Sequence, residues 1–413
     1  MNWEELHNKA KVFDWHTHPA LKSMLFHRNL GRKKRRRFLA AFYEGSFWPF
    51  SERITFPMLE KGGVDVMMST AYILEQGWID DIKLIKWLFW LFPSVRKAVV
   101  DPTYFDGTNA MLDEMETQVE DYKKSKKEGD RNVSMALSVD QLLANLEAGD
   151  ISIVHSIEGA HSLQHIEGGR TLDETIMSDP EAIEVELLNS LDHFFDRGVA
   201  YLTLAHFYPK LCVSPVFPYP EYGLKHFKWK ELLGRWDMNE GLTDSGAKVV
   251  EKMLELGMLV DVCHCTPTAR KQIYDLAEHH KKTSGVISTH TGAFSINPVM
   301  YNLEDWEIKW IADNGGSIGV IFMNYWISPV DSKMGLKYLD QTMRHMIKVG
   351  GEGCVGLGTD FDGFTDPPDE IINISYLPRF TKYMCATQYY SDDLMEKILG
   401  GNAMRTLKEG WKK

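Results

Sequence analysis

Eight short apolar runs recur along this chain, and helical patterns fill the intervals between them. The runs are Val12–Asp14, Val64–Thr70, Ile151–Ser156, Ala200–Ala205, Met258–Cys263, Gly285–Ser288, Ser317–Phe322 and Val355–Gly358. Between them, Asp140–Leu146 carries apolar residues at helical spacing, and Glu181–Arg197 follows Pro180 and precedes Gly198. Ser245–Leu256 is closed by Gly257 and Leu336–Val349 by Gly350. Proline fits the first turn of a helix and glycine the position after its end, so these patterns carry their own start or stop signals. Runs that are apolar throughout belong to strands covered on both faces, and strands separated by helices pair in parallel. The expected class is α/β, a (β/α)8 TIM-type barrel, with a doubly wound open sheet as the alternative. No repeat, low-complexity tract or linker breaks the series. The spacing predicts one barrel domain over residues 1–413, with insertions at about 22–60, 78–110 and 209–236.

The carboxyl ends of these runs carry the chemistry. His16 and His18 follow the first, Glu158 the third, and His206 ends the fourth. His264 ends "LVDVCH", His290 ends "GVISTH", and Asp360 follows "VGLGT". A strand buried in a barrel has no structural need for a polar residue there, whereas barrel enzymes build their sites at that end. Histidine and carboxylate without thiolate suit zinc, with manganese, iron or cobalt open as alternatives. Four histidines and a glutamate exceed the three protein ligands of one catalytic zinc. Two divalent metals are therefore expected, with Glu158 bridging, His16 and His18 on one ion, and His264 and His290 on the other. Such a pair, roughly 3.5–4 Å apart, polarises a carbonyl and supplies hydroxide at neutral pH. Asp360 then accepts and delivers the proton, and His206 stabilises the oxyanion.

Composition excludes other classes. A formal charge of −12 argues against a nucleic-acid partner. The basic run Arg32–Arg37 reads as a solvated face. Five cysteines, few and odd in number, imply no disulfide framework, and Cys263 and Cys265 flank His264 as packing groups. The greasiest stretch, Leu84–Phe92, contains Lys86 and is too short for a membrane span; a buried or lid helix is its plainest assignment. Met1–Lys11 lacks an apolar signal core, so a cytoplasmic location is expected, with a homodimer left open. Trp15 and His161 read as groups packed behind the site.

The ordered blocks "DWHTH…SIEGAHSL…YLTLAHF…GLTDSGAKVVEKMLELGMLVDVCH…GVISTHTGAFS…VGLGTDFDG…GGNAMRTL", from Phe13 to Leu407, resemble the membrane (renal) dipeptidase family of zinc peptidases, within the amidohydrolase-like superfamily. The resemblance implies a barrel with a binuclear zinc centre that cleaves dipeptides and, in some members, other small amides. It also implies that His16, Glu158, His264 and His290 are metal ligands, His206 a substrate contact, and Asp360 the proton shuttle. Two positions depart from the family pattern. His18 stands where the family has Asp, which removes one negative charge from the site. Tyr301, before Asn302, stands where the family has an Arg that grips the substrate carboxylate. Tyr301 is kept as a substrate-binding candidate through its hydroxyl. Lys225, Lys228 or Lys230 of the aromatic insert Pro209–Trp236 are candidate replacements for the missing cation, and the insert itself is a candidate lid. The expected function is metal-dependent hydrolysis of dipeptides or related small amides. The alternatives are an amidohydrolase acting on an N-acyl amino acid, cyclic amide or lactone, and a barrel that binds metal or ligand without turnover.

Overall fold

The structure is a computed structural model that describes residues 1–32, 51–81, 87, 90–91, 96–97, 101–165, 180–208, 211–217, 236–328 and 335–413. Nine strands form one sheet: β1 Val12–Thr17, β2 Val64–Ala71, β3 Val133–Ala136, β4 Ile151–Glu158, β5 Val199–Thr203, β6 Leu259–Asp261, β7 Val286–Thr291, β8 Ile318–Ile321 and β9 Val355–Gly358. All pairings are parallel, in the order β2-β1-β9-β8-β7-β6-β5-β4. The sheet closes where β2 meets β4, from Val66 opposite Ser152 to Ala71 opposite Ile157. That closure makes the (β/α)8 barrel, and the eight expected runs are its eight staves.

β3 is the ninth strand and was not expected from the sequence. It pairs with Ile151–Val154, the lower half of β4, while β5 pairs with the upper half from His155. Four residues, "VSMA", carry too little hydrophobic pattern to announce a strand.

The helices begin and end on local chemistry. Ser138 caps the helix Val139–Ala148, and Gly149 ends it with a positive φ of 80°. Thr243 caps Asp244–Leu256, and Gly257 ends it at φ 75°. Both ends use a conformation that glycine reaches without a Cβ clash.

Inside the barrel, the lower layers are apolar. Phe13, Trp15, Val66, Val154, Leu259 and Ile287 pack there, with Leu407 and Trp411 of the C-terminal segment joining the same cluster. Trp15 donates its indole N–H to Ser317 Oγ at 3.1 Å. Above this floor, the side chains become hydroxyls. Thr70 bonds Ser156 at 2.9 Å and Tyr201 at 3.1 Å, and Thr203 donates to Asp261 at 2.6 Å.

Two strand ends differ from expectation for a common reason. β6 stops at Asp261, short of Cys263, and β1 continues past Asp14 with a break in register. Asp261 accepts the backbone N–H of Cys263 and both the N–H and hydroxyl of Thr289 on β7. Asp14 does the same with the N–H of His16 and both groups of Thr359, just past β9. Each carboxylate takes over donors that a regular ladder would use, so the chain peels inward and carries the next histidine with it. Burial pushes Asp14 up to about 6, against its bonds from Thr359 and His16.

Of the run Arg32–Arg37, all but Arg32 lies outside the described residues, as does most of the 209–236 insert with Lys225, Lys228 and Lys230. Of Leu84–Phe92, only Trp87, Trp90 and Leu91 are described; they are exposed, so the burial expected there does not hold at these positions. Among the described residues no helix is long and apolar enough to cross a membrane.

Candidate metal centre

The strand ends converge on Glu158. Its side chain is almost fully buried, and five imidazole nitrogens surround its two oxygens. Oε1 lies 3.4 Å from His16 Nε2, 3.2 Å from His264 Nε2 and 3.3 Å from His290 Nε2. Oε2 lies 3.3 Å from His18 Nε2 and 3.5 Å from His206 Nε2. His16 and His18 face each other, Nε2 to Nε2, at 3.0 Å, and His264 and His290 at 3.1 Å. His18 Nε2 is also 3.4 Å from Asp360 Oδ1. All seven residues picked from strand ends thus sit in one cluster.

This donor set fits divalent metals. Two imidazole nitrogens about 3.3 Å apart span one edge of a tetrahedron with bonds of about 2.0–2.1 Å, near what each histidine pair presents. Glu158 Oε1 has three nitrogens around it yet makes no hydrogen bond. His16, His18 and Glu158 form one ligand-sized group; Glu158, His264 and His290 form a second. A third grouping, His16 with Asp261 and His290, also has ligand spacing. There, however, Asp261 already accepts four hydrogen bonds, from Thr203, Cys263 and twice from Thr289. Its lone pairs are committed, so it backs the histidines from behind.

The electrostatics hold Glu158 charged and divide the histidines, with His290, like His18, lifted above the usual imidazole value against burial, by Cys263 and Glu158. Burial would raise Glu158, but the histidines around it, His206 and His16 foremost, hold it well below the usual carboxylate range. Burial pushes His16 and His264 down to about 4, which leaves them neutral, the form that ligates metal. Burial also acts against the charged form of His18, but bonds to Asp360 and Glu158 lift it to about 9. Asp360 is pulled below its ordinary value, against burial, chiefly by His18.

The rings of His16 and His290 are set from below. Tyr201 donates its hydroxyl to the Trp15 carbonyl at 2.7 Å and so accepts from His16 Nδ1 at 2.9 Å. Thr289 donates to Asp261 and accepts from His290 Nδ1 at 2.8 Å. Each arrangement puts the proton on Nδ1 and turns the Nε2 lone pair to the centre. His264 holds a left-handed φ of 64° and Asp360 one of 56°. Backbone strain of this kind gathers at functional sites.

Tyr301 is buried beside His264, its ring centroid 4.9 Å away, and stacks on Trp326 at 3.6 Å. Its hydroxyl donates to the His290 carbonyl at 2.6 Å, so a ring and not a free donor faces the centre. Cys263 and Cys265 are buried free thiols, pushed up by burial, and neither belongs to a ligand group. His161 donates its Nε2–H to the Ile73 carbonyl, 2.9 Å away, and packs edge-on to Tyr72.

Sequence reasoning missed Tyr72, Glu75, Tyr201, Asp261, Thr289 and Trp326. Glu75 stands four residues past the end of β2, the same placement that marked the others, and is fully buried beside His206. The hydroxyl and carboxylate residues within strands read as ordinary strand content, and only the closed barrel puts them beneath the histidines.

A family model described as membrane dipeptidase (peptidase family M19) matches residues 181–411. A Klebsiella pneumoniae protein described as an uncharacterized protein in the pqqA 5' region is 35% identical over 182 residues, 43% of this chain and 64% of that protein. Dipeptidase 3 of Mus musculus is 24% identical over 266 residues, 63% of this chain and 48% of that protein. The chain thus spans under two thirds of the length of these relatives. The solved structure of a Rhodobacter sphaeroides metallo peptidase, liganded with a phosphinate mimic of the dipeptide L-Ala-D-Ala, aligns with a TM-score of 0.70 at 18% identity, over 97% of this chain and 99% of that one. At that identity the likeness speaks for the fold.

Proposed function

Because the chain belongs to the membrane dipeptidase family, peptidase family M19, we propose that it hydrolyses the amide bond of dipeptides or related small amides at this centre. The observation that carries the reading is the convergence of four imidazole nitrogens, in two facing pairs, on the two oxygens of Glu158. His16, His18 and Glu158 would hold one divalent ion, zinc before others, and Glu158, His264 and His290 a second. Such ions polarise a scissile carbonyl and bring the pKa of water from about 15.7 towards roughly 7.

The chain's own residues do the rest. Asp360, whose Oδ1 lies 3.4 Å from His18 Nε2, accepts the proton of the attacking water. The new C–O bond forms in that attack, and Asp360 then delivers the proton to the nitrogen as the C–N bond breaks. His206 presents Nε2 to the same space, with Nδ1 taken by Glu75. In its protonated form it would donate to the carbonyl oxygen as negative charge develops there, with the Glu75 carboxylate balancing the imidazolium.

One observation favours a second reading. Tyr301 spends its hydroxyl on the His290 carbonyl and brings no charge, which suits a cyclic amide or lactone without a free carboxylate. The test is elemental analysis of zinc-loaded protein, followed by a panel of dipeptides, N-acyl amino acids and lactones. Two metals per chain with dipeptide turnover is the expected result. Selective turnover of lactones or cyclic amides would favour the second reading. No turnover across the panel with two metals bound would overturn both.

A further inference from the structure

Glu75 is a fully buried carboxylate in the loop after β2, and its oxygens gather donors from two loops. Oε2 accepts from Tyr72 Oη at 3.1 Å, His206 Nδ1 at 2.8 Å and the Phe207 N–H at 3.3 Å, while Oε1 accepts from the Tyr208 N–H at 2.9 Å. A buried carboxylate is tolerated only with such compensation, since its desolvation alone costs several kcal/mol. The His206 ring also packs between Tyr72, centroid 4.1 Å away, and Phe207, at 4.0 Å. Two faces and one nitrogen are thereby occupied. The remaining nitrogen, Nε2, points at the metal ligands, 3.5 Å from Glu158 Oε2.

We propose that Glu75 is a positioning residue for His206, tying the loop after β2 to the loop after β5 so that Nδ1 stays protonated and Nε2 faces the substrate space. This rests on the reading of the centre as a hydrolytic site. The backbone N–H groups of Phe207 and Tyr208 can only donate, so the position requires an acceptor on both oxygens. Glutamine cannot supply that: with its oxygen kept on His206, its NH2 faces the Tyr208 N–H, donor against donor. If the amide flips to serve Tyr208 instead, its NH2 meets the His206 Nδ1–H and the ring is released, and a misplacement of about 1 Å at a reacting group costs on the order of 10²-fold in rate.

The first measurement needs no variant. Long-range 1H–15N spectra of [15N]histidine-labelled, zinc-loaded protein, with His206 identified by its loss in His206→Asn, should show Nδ1 protonated. Finding the proton on Nε2 alone would overturn the proposal. Glu75→Gln should then alter the His206 nitrogen pattern and lower kcat about 10²-fold, with metal content and melting temperature held. In a His206→Ala background the same change should cost less than about twofold, because a group that acts only through His206 has nothing left to position. Unchanged His206 nitrogens in Glu75→Gln, or a full further loss in the double variant, would overturn it. If no substrate is turned over at all, the hydrolytic reading fails, and the nitrogen spectra decide Glu75's role by themselves.

Discussion

Asp261 grips Thr289 twice, accepting its backbone N–H at 3.0 Å on one carboxylate oxygen and its hydroxyl at 2.6 Å on the other. The hydroxyl proton is thereby spent, and Thr289 Oγ1 is left as an acceptor for His290 Nδ1 at 2.8 Å and His16 Nδ1 at 3.2 Å. A carboxylate on β6 thus orients imidazoles on β7 and β1 through one hydroxyl.

Thr289→Val keeps the side-chain shape and removes that acceptor. Partners of this kind are worth about 10–100-fold in metal affinity, so the variant should lose about that much. Tyr201→Phe should do likewise through His16. Zinc competition against a chromophoric chelator reads both without any assay of activity. Affinities within twofold of the wild type in both variants would mean that the ligand rings are fixed by packing alone.

Gly363 has no room for a side chain. A Cβ there would collide with Oδ1 of Asp360 and stand 2.9 Å from Cδ2 of His18. Gly363→Ala should therefore push the Asp360 carboxylate out of place while leaving the barrel intact. Asp360→Asn removes the proton acceptor without moving it. General acid–base groups contribute about 10²–10⁴-fold, and both variants should lose kcat in that range, with metal content unchanged in Asp360→Asn. Near-normal kcat in Asp360→Asn would take this residue out of the mechanism.

The barrel was legible because all eight closing strands are apolar runs buried on both faces, and a run such as "SIVHSI" has few other uses. The clustering of the seven candidate residues was legible because polar side chains at the carboxyl ends of such strands lack a structural reason. Glu75 escaped because the loop after β2, "YILEQG", gives no histidine to draw attention to it. Tyr201 and Thr289 escaped for a different reason: their roles depend on which way a hydroxyl donates. That direction follows only from the Trp15 carbonyl and Asp261 carboxylate beside them, which come from distant strands.

Acid stability should report one ion cluster on the outside of the barrel. A hydrogen bond from His155, followed by Arg197, lowers Glu116 to about 2 from an ordinary 4.5. His155 is itself held below its usual value by burial, and Arg197 reaches the same carboxylate at 2.7 Å. An acid depressed in the folded state contributes stability above its unfolded pKa and loses it as pH falls towards the folded one. The wild type should therefore exceed Glu116→Gln in melting temperature at pH 6. That margin should shrink between about pH 4.5 and 2. A margin independent of pH would show that the side chain contributes only by packing.

Tyr301 offers the sharpest test of what the pocket receives. Its ring stacks on Trp326 and its hydroxyl caps the His290 carbonyl, so the position contributes a flat apolar wall next to His264. A guanidinium is also planar, can stack on an aromatic face, and binds a carboxylate with two charge-assisted hydrogen bonds. Tyr301→Arg should then lower KM for free dipeptides and leave C-terminally amidated ones little changed. Tyr301→Phe is the control, since it removes the bond to the His290 carbonyl and adds no charge. It should change both substrate classes alike and modestly. If the native protein already cleaves free dipeptides with micromolar KM, and Lys→Ala changes at Lys225, Lys228 and Lys230 leave that value alone, substrate grip does not depend on a cation at either place. Tyr301 would then be a wall that free dipeptides tolerate.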